Sequence, residues 1–166
     1  MKTIIIAFIG LLSSVSVYAD VSEGTVHVTG NLLAPTCSIT GGTDITFNLD
    51  TVSVSDLPDV NSTAGKMEKE ISLTCDADTQ VYMTIDGCSS TDNDSVIVNT
   101  GTAQGVGIQL LDVTNNNNPI HIGQRWNVIA HSTESESIPI AAQYYRLGSL
   151  TAGTVKATAT YTLDYE

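Results

Sequence analysis

The strongest constraint on this chain lies in its last fourteen residues, 153–166, which read GTVKATATYTLDYE. Val155, Ala157, Ala159, Tyr161, Leu163 and Tyr165 alternate without a break with Thr154, Lys156, Thr158, Thr160, Thr162 and Asp164. A period of two places one set on each side of an extended chain, so this is a strand with one dry face and one wet face. Its Val, Thr and Tyr residues suit a pleated surface. A chain that closes on so regular a strand must also account for that strand's outer edge, because an unpaired edge invites pairing with another chain.

The opposite end reads differently. Lys2 precedes an apolar run from Ile4 to Leu12, then small residues, then Val17-Tyr18-Ala19. This predicts a secretory signal peptide over residues 1–19, cleaved after Ala19. The run is too short to span a bilayer and no other stretch approaches that length, so the mature chain is expected to be exported, with no membrane insertion. Residues 20–166 number 147, enough for one domain with one core. Removing Lys2 leaves five basic residues against eighteen acidic ones, a net charge of −13. Such a surface repels nucleic acid and anionic lipid and attracts a basic partner.

Three cysteines, Cys37, Cys75 and Cys88, make an odd count in an oxidising compartment. Spacing alone does not choose the pair. Cys37 and Cys75 sit in apolar, strand-like contexts, whereas Cys88 follows Asp86-Gly87 and precedes Ser89-Ser90, which is loop chemistry. The context favours a Cys37–Cys75 bridge, worth about 4 kcal/mol in the chain-entropy account. Cys88 is then a lone thiol.

After residue 20 no sustained 3.6-residue apolar period occurs. Short extended patterns recur instead, separated by Gly, Asn, Asp and Ser clusters. Strands are predicted at 25–33, at 44–49 with Ile45, Phe47 and Leu49 on one side, and at 67–75. Others are predicted at Val81 to Ile85, 96–98, Val106 to Leu110, around Trp126, and from Ile138 to Tyr144. Residues 51–65, 112–119 and 147–153 read as loops or turns. Many short strands at this spacing predict an all-β, antiparallel sandwich of immunoglobulin type, with no repeat and no second domain.

Three features together resemble the chaperone–usher fimbrial pilins of the type 1-like group. One is the glycine fourteenth from the end, Gly153, with an aromatic residue, Tyr165, next to last. Another is Gly24-Thr-Val26-His-Val28-Thr-Gly30, followed by Ala34-Pro-Thr-Cys37. The third is Gly105-Val-Gly-Ile-Gln-Leu-Leu-Asp112 with Ala142-Gln-Tyr-Tyr-Arg-Leu-Gly148, which is similar to shaft subunits. The resemblance spans residues 20–166, and Cys88 departs from the usual one-disulfide pattern.

The resemblance implies an immunoglobulin-like sandwich that lacks its seventh strand and is completed by donor-strand complementation. Residues 1–19 are then the signal, 20–31 an N-terminal donor extension and 32–166 the pilin domain. Ser22, Gly24, Val26, Val28 and Gly30 form the donor face. Gly153, Val155, Ala157, Ala159, Tyr161, Leu163 and Tyr165 line the accepting groove. A periplasmic chaperone fills that groove first, with basic residues holding the terminal carboxylate. At the outer-membrane usher the next subunit's extension replaces it, building a homopolymer on the bacterial surface. The implied role is a structural one, a shaft (major) pilin, without catalysis, cofactor or metal. The residues agree: Val26 and Val28 each yield about 1.5–3 kcal/mol when buried, and strand addition is a known mode of peptide capture. A head-to-tail contact of this kind gives a filament rather than a ring.

Other readings carry less. His27, His121 and His131 are scattered, without metal-ligand spacing. Asp92-Asn93-Asp94 lacks the Gly and terminal Glu of a calcium loop, and no Gly-x-Ser-x-Gly turn occurs. Asn61-Ser62-Thr63 is a chance glycosylation match. The competitor from another class is a carbohydrate-binding minor subunit or tip adhesin, with Trp126, Tyr144 and Tyr145 as a sugar platform. So few aromatics are better spent packing a core.

Overall fold

The structure, a computed structural model, describes residues 27–30 and 36–166. The expected signal segment lies outside these residues, as do Ser22, Gly24 and Val26 of the expected donor face. Residues 27–30 are exposed and outside any ladder, with Val28 88% accessible. The described residues 36–166 belong to one compact unit and residues 27–30 to another.

Among the described residues there are nine strands: β1 (Cys37–Thr40), β2 (Thr63–Cys75), β3 (Val81–Gly87), β4 (Val96–Val98), β5 (Gln104–Asp112), β6 (Asn118–Pro119), β7 (Arg125–Ile129), β8 (Ser135–Thr151) and β9 (Ala159–Tyr165). All pairings are antiparallel. One sheet runs β1-β2-β8-β5-β4 with β6 on β5, and the other runs β7-β3-β9. The described residues contain no α-helix. The architecture is the all-β, immunoglobulin-like sandwich expected, and the strand count fits an incomplete one.

Alternation decides what the sandwich encloses. Ile71 and Leu73 on β2, Val81, Met83 and Ile85 on β3, Leu110 on β5, and Ile138, Ile140 and Ala142 on β8 point between the sheets and form one buried cluster. Cys37 lies directly opposite Cys75 across the β1–β2 ladder, and the two are joined by a disulfide. Cys88 is exposed and unpaired.

The large sheet is covered on its outer face too. Leu57, Leu111, Ala141 and Tyr145 are buried outside the main cluster. The connection between residues 52 and 62 is tied to β8 there: Tyr145 Oη donates to Asn61 Oδ1 (2.9 Å), and the Asn61 N–H donates to the Arg146 carbonyl (2.8 Å). Arg146 Nη1 in turn donates to the Leu57 carbonyl (2.9 Å). Ser53 caps a single 3₁₀ turn, Val54–Asp56, within this connection.

Several local expectations differ: residues 112–119 read as a turn, yet Asn118–Pro119 pairs with Leu111 and Asp112 as β6, and residues 27–30 of the strand expected at 25–33 are in no ladder. Residues 147–153 read as a turn, yet β8 continues to Thr151 and, at 17 residues, is longer than the terminal strand. The reason is a bulge: Val106 pairs with Arg146 but Gln104 pairs with Thr151, so residues 147–150 leave the ladder without ending the strand. Residues 51–65 read as loop, yet β2 begins at Thr63, where its ladder with β8 starts at Tyr145. Residues 44–49 read as a strand; they are extended with alternating burial, but have no ladder partner.

Candidate functional site

That unpartnered segment is one wall of a groove. Its alternation turns Ile45, Phe47 and Leu49 inward, where they pack against the core but stay only half-buried. The facing wall is β9 with the residues that lead into it. Val155, Ala157, Ala159, Tyr161, Leu163 and Tyr165 all line the groove, and each is half-buried while its Thr, Lys or Asp neighbour is exposed. Ile85, Ile140 and Ala142 are among the residues of the floor, and the volume enclosed is about 1280 Å³. β9 pairs with β3 along one edge only, from Val81–Tyr165 to Gly87–Ala159. Its other edge is therefore unpaired in the described sheet, and so are the backbone groups of 44–49.

Gly153 stands apart from the other expected groove residues, because it is not in the groove lining. It lies against another backbone. A Cβ at 153 would sit 2.6 Å from the Ala103 nitrogen and 2.6 Å from Thr102 Oγ1. Only glycine permits that approach. The segment it opens is then pinned to the β4–β5 connection, since the Ala103 N–H donates to the Thr154 carbonyl (3.0 Å) and the Thr100 N–H to the Lys156 carbonyl (2.8 Å). The glycine thus aims the terminal strand into the groove wall from one turn away.

The chain end is also held. Gln80 and Glu166 exchange both backbone hydrogen bonds (2.8 and 3.0 Å), and Arg125 Nη2 donates to Glu166 Oε1 at 2.6 Å. Arg125 also lies 3.6 Å above the Tyr82 ring and 3.6 Å from Asp164 Oδ2. Within the groove, burial raises the Tyr161 phenol above its ordinary value, helped by the Asp44 charge and Tyr165, and burial raises Tyr165 as well. Tyr161 Oη donates to the Thr43 carbonyl on the opposite wall at 2.8 Å. Sequence reasoning placed Tyr161 on this face but gave no sign of that contact, because nothing in an alternating pattern reports which distant carbonyl a phenol reaches.

The residues considered for a sugar platform are not brought together. Tyr144 lines the groove, Trp126 lines a separate cavity of about 320 Å³ beside Asp112 and Ile120, and Tyr145 bonds to Asn61 on the outer face. His121 Nδ1 lies 2.7 Å from Asp94 Oδ1 and both are exposed. No group of three or more metal-ligating side chains is found among the described residues, and no described helix is long and apolar enough to cross a membrane.

The class is thus a sandwich with an immunoglobulin-like core and an unpaired, apolar, strand-sized slot between two of its walls. The family model described as "Fimbrial protein" matches residues 26–166, so this chain belongs to the fimbrial protein family. It is 29% identical over 166 residues to the S-fimbrial adhesin protein SfaS of Escherichia coli O6:K15:H31 (strain 536 / UPEC), covering 99% of this chain and 98% of that one. To the type-1 fimbrial protein subunit of Serratia marcescens it is 31% identical over 183 residues, covering both chains fully. Among solved structures it is similar to the P pilus rod subunit PapA (TM-score 0.66, 18% identity, 78% of this chain and 99% of that). It is also similar to a chaperone–usher pilus subunit from a study of rod uncoiling (TM-score 0.67, 16% identity, 91% of this chain and all of that). The chain is a fimbrial subunit, from a family of structural pilins that is not an enzyme family, and the family's place is a surface fimbria.

Proposed function

We propose that this subunit polymerises head to tail by donating residues 20–31 to the groove of a neighbour, and that it serves as a shaft pilin. The observation that carries the reading is the pair of facing, unpaired walls: 44–49 on one side and β9 on the other, with half-buried apolar residues between them. A strand laid there gains backbone partners along its length and buries Val26 and Val28 against Ile45, Phe47, Leu163 and their neighbours. Ser22, Gly24 and Gly30 keep the rest of the donor face small. Before assembly a periplasmic chaperone supplies the missing strand, and its basic residues meet a chain whose mature charge is −13. The outer-membrane usher is where the exchange takes place. The signal over residues 1–19 delivers the chain to that compartment.

Coexpression with the cognate chaperone tests this directly. A one-to-one periplasmic complex is expected, from which a synthetic peptide of residues 20–31 displaces the chaperone. A subunit that accumulates as a stable, unaccompanied monomer overturns the reading.

A carbohydrate-binding minor subunit is the second reading, and one observation favours it: the similar SfaS carries the name adhesin over its full length. Retention of the chaperone-free, peptide-complemented subunit on a glycan array separates the two, since a shaft pilin passes through.

A further inference from the structure

The wall formed by 43–49 is held in an unusual way. It leaves β1 through Gly41 and Gly42, both at positive φ (89° and 109°), with nothing within 4 Å of either position's missing side chain. Two successive glycines in this conformation form a joint that adjacent packing does not brace. Beyond the joint the segment pairs with no strand. The next hydrogen bonds along the chain are those of the Ser53 cap and the turn it starts. Among the described residues, residues 41–52 make one hydrogen bond to the rest of the fold: the Tyr161 Oη to Thr43 carbonyl contact at 2.8 Å. That donor sits on the far wall, in the middle of β9, where Tyr161 pairs with Ile85.

We infer that Tyr161 is a positioning residue that tethers the hinged wall of the empty groove and holds it at the spacing an incoming strand requires. The inference rests on the strand-donation reading. A missing strand leaves its two neighbours about 9.5 Å apart, twice the ladder spacing. An extended tyrosyl side chain plus one hydrogen bond spans a gap of that order, so the tether limits how far the wall can swing out. Its contact at Thr43, next to the Gly41–Gly42 joint, restrains the segment near its pivot and leaves the backbone groups of 44–49 free for the donor. A preformed slot saves the incoming strand the cost of ordering the wall itself, and the benefit falls on the association step.

The test uses the mature chain, refolded at low concentration, and a fluorescein-labelled peptide of residues 20–31 followed by anisotropy. Tyr161→Phe removes the hydroxyl and keeps the ring. Its association rate is expected to fall three- to tenfold while the dissociation rate of the filled groove stays within twofold of wild type. Tyr161→Leu, which removes the ring as well, should also raise the dissociation rate. Far-ultraviolet circular dichroism and the melting temperature of the peptide complexes report whether each variant has folded. Tyr161→Phe with an unchanged association rate shows the tether to be idle, and a faster rate shows the bond to be an obstacle; either overturns the inference while leaving strand donation intact. Failure of the wild-type chain to bind the peptide at all overturns strand donation, and the tether with it.

Discussion

Tyr161 and Tyr165 show how a single residue type reports the state of the groove. Both phenols are raised above the ordinary value of 10.0, chiefly by burial. Burial disfavours the phenolate, so the neutral form is the folded one. A folded value above the unfolded one means that stability is fully present below about pH 10 and is lost as pH rises through the folded value. The melting temperature should therefore drop in that alkaline window, and the double variant Tyr161→Phe/Tyr165→Phe should flatten the drop. An identical alkaline slope in the double variant would show that other groups cause it. Gly153 makes a different kind of prediction. Even Gly153→Ala forces a methyl against the Ala103 nitrogen and Thr102 Oγ1. Overpacking against backbone costs about 1–3 kcal/mol, and the displaced segment is the one that leads into the groove wall. Thermal denaturation of the peptide-complemented subunit should show the loss, and peptide affinity should fall with it.

At the level of elements, the strand exchange proposed above makes opposite demands on its two partners. In that proposal the donor face enters a neighbour's apolar slot while contributing nothing to its own subunit's core. Val26→Asp is therefore expected to leave the chaperone-bound subunit intact and block polymer growth, since an unpaired carboxylate in the slot costs several kcal/mol. Electron microscopy of cells expressing only this variant should show no fibres, with the periplasmic chaperone complex at its normal level. The β1–β2 ladder makes the complementary demand on the acceptor. Cys75→Ser opens a bridge spanning 38 residues and should cost about 2–4 kcal/mol, depleting the subunit before assembly begins. How much of this was legible in the sequence follows the same division. The terminal alternation from Val155 to Tyr165 gave the inward face residue by residue, because a period of two survives whether or not the strand has a partner. For Ile45, Phe47 and Leu49 the face was legible, but the absence of a ladder was not, since pairing depends on residues far away in the chain. The bulge at 147–150 was misread for the same reason: Gly148 and Ser149 look like a turn until β5 is seen to pair on both sides of them. Gly153 was picked out by its place in a family pattern, while its contact with residues 102–103 needed coordinates.

For the whole molecule the question is why the described residues leave a groove open along their core. In a complete sandwich the strand between 44–49 and β9 would come from the same chain, and the molecule would have no reason to polymerise. Here the apolar row Val155, Ala157, Ala159, Tyr161, Leu163 and Tyr165 stays half-exposed, so on the strand-donation proposal stability is deferred to the next copy and a filament grows. A circularising graft tests this account. Residues 20–31 joined after Glu166 through a short flexible linker place the missing strand beside its slot at an effective concentration in the millimolar range. The chain end is well placed for this, because Glu166 is fixed to Gln80 by two backbone hydrogen bonds at the mouth of the β3–β9 ladder. If the groove accepts residues 22–30, the grafted chain should fold without chaperone, elute as a monomer and fail to polymerise. Its melting temperature should exceed that of the ungrafted chain by well over ten degrees, since filling the slot adds both core burial and a ladder. Adding Val26→Asp within the graft should abolish most of that gain. A graft that melts no higher than the parent chain, or one indifferent to Val26→Asp, would mean that the slot between 44–49 and β9 takes some other strand.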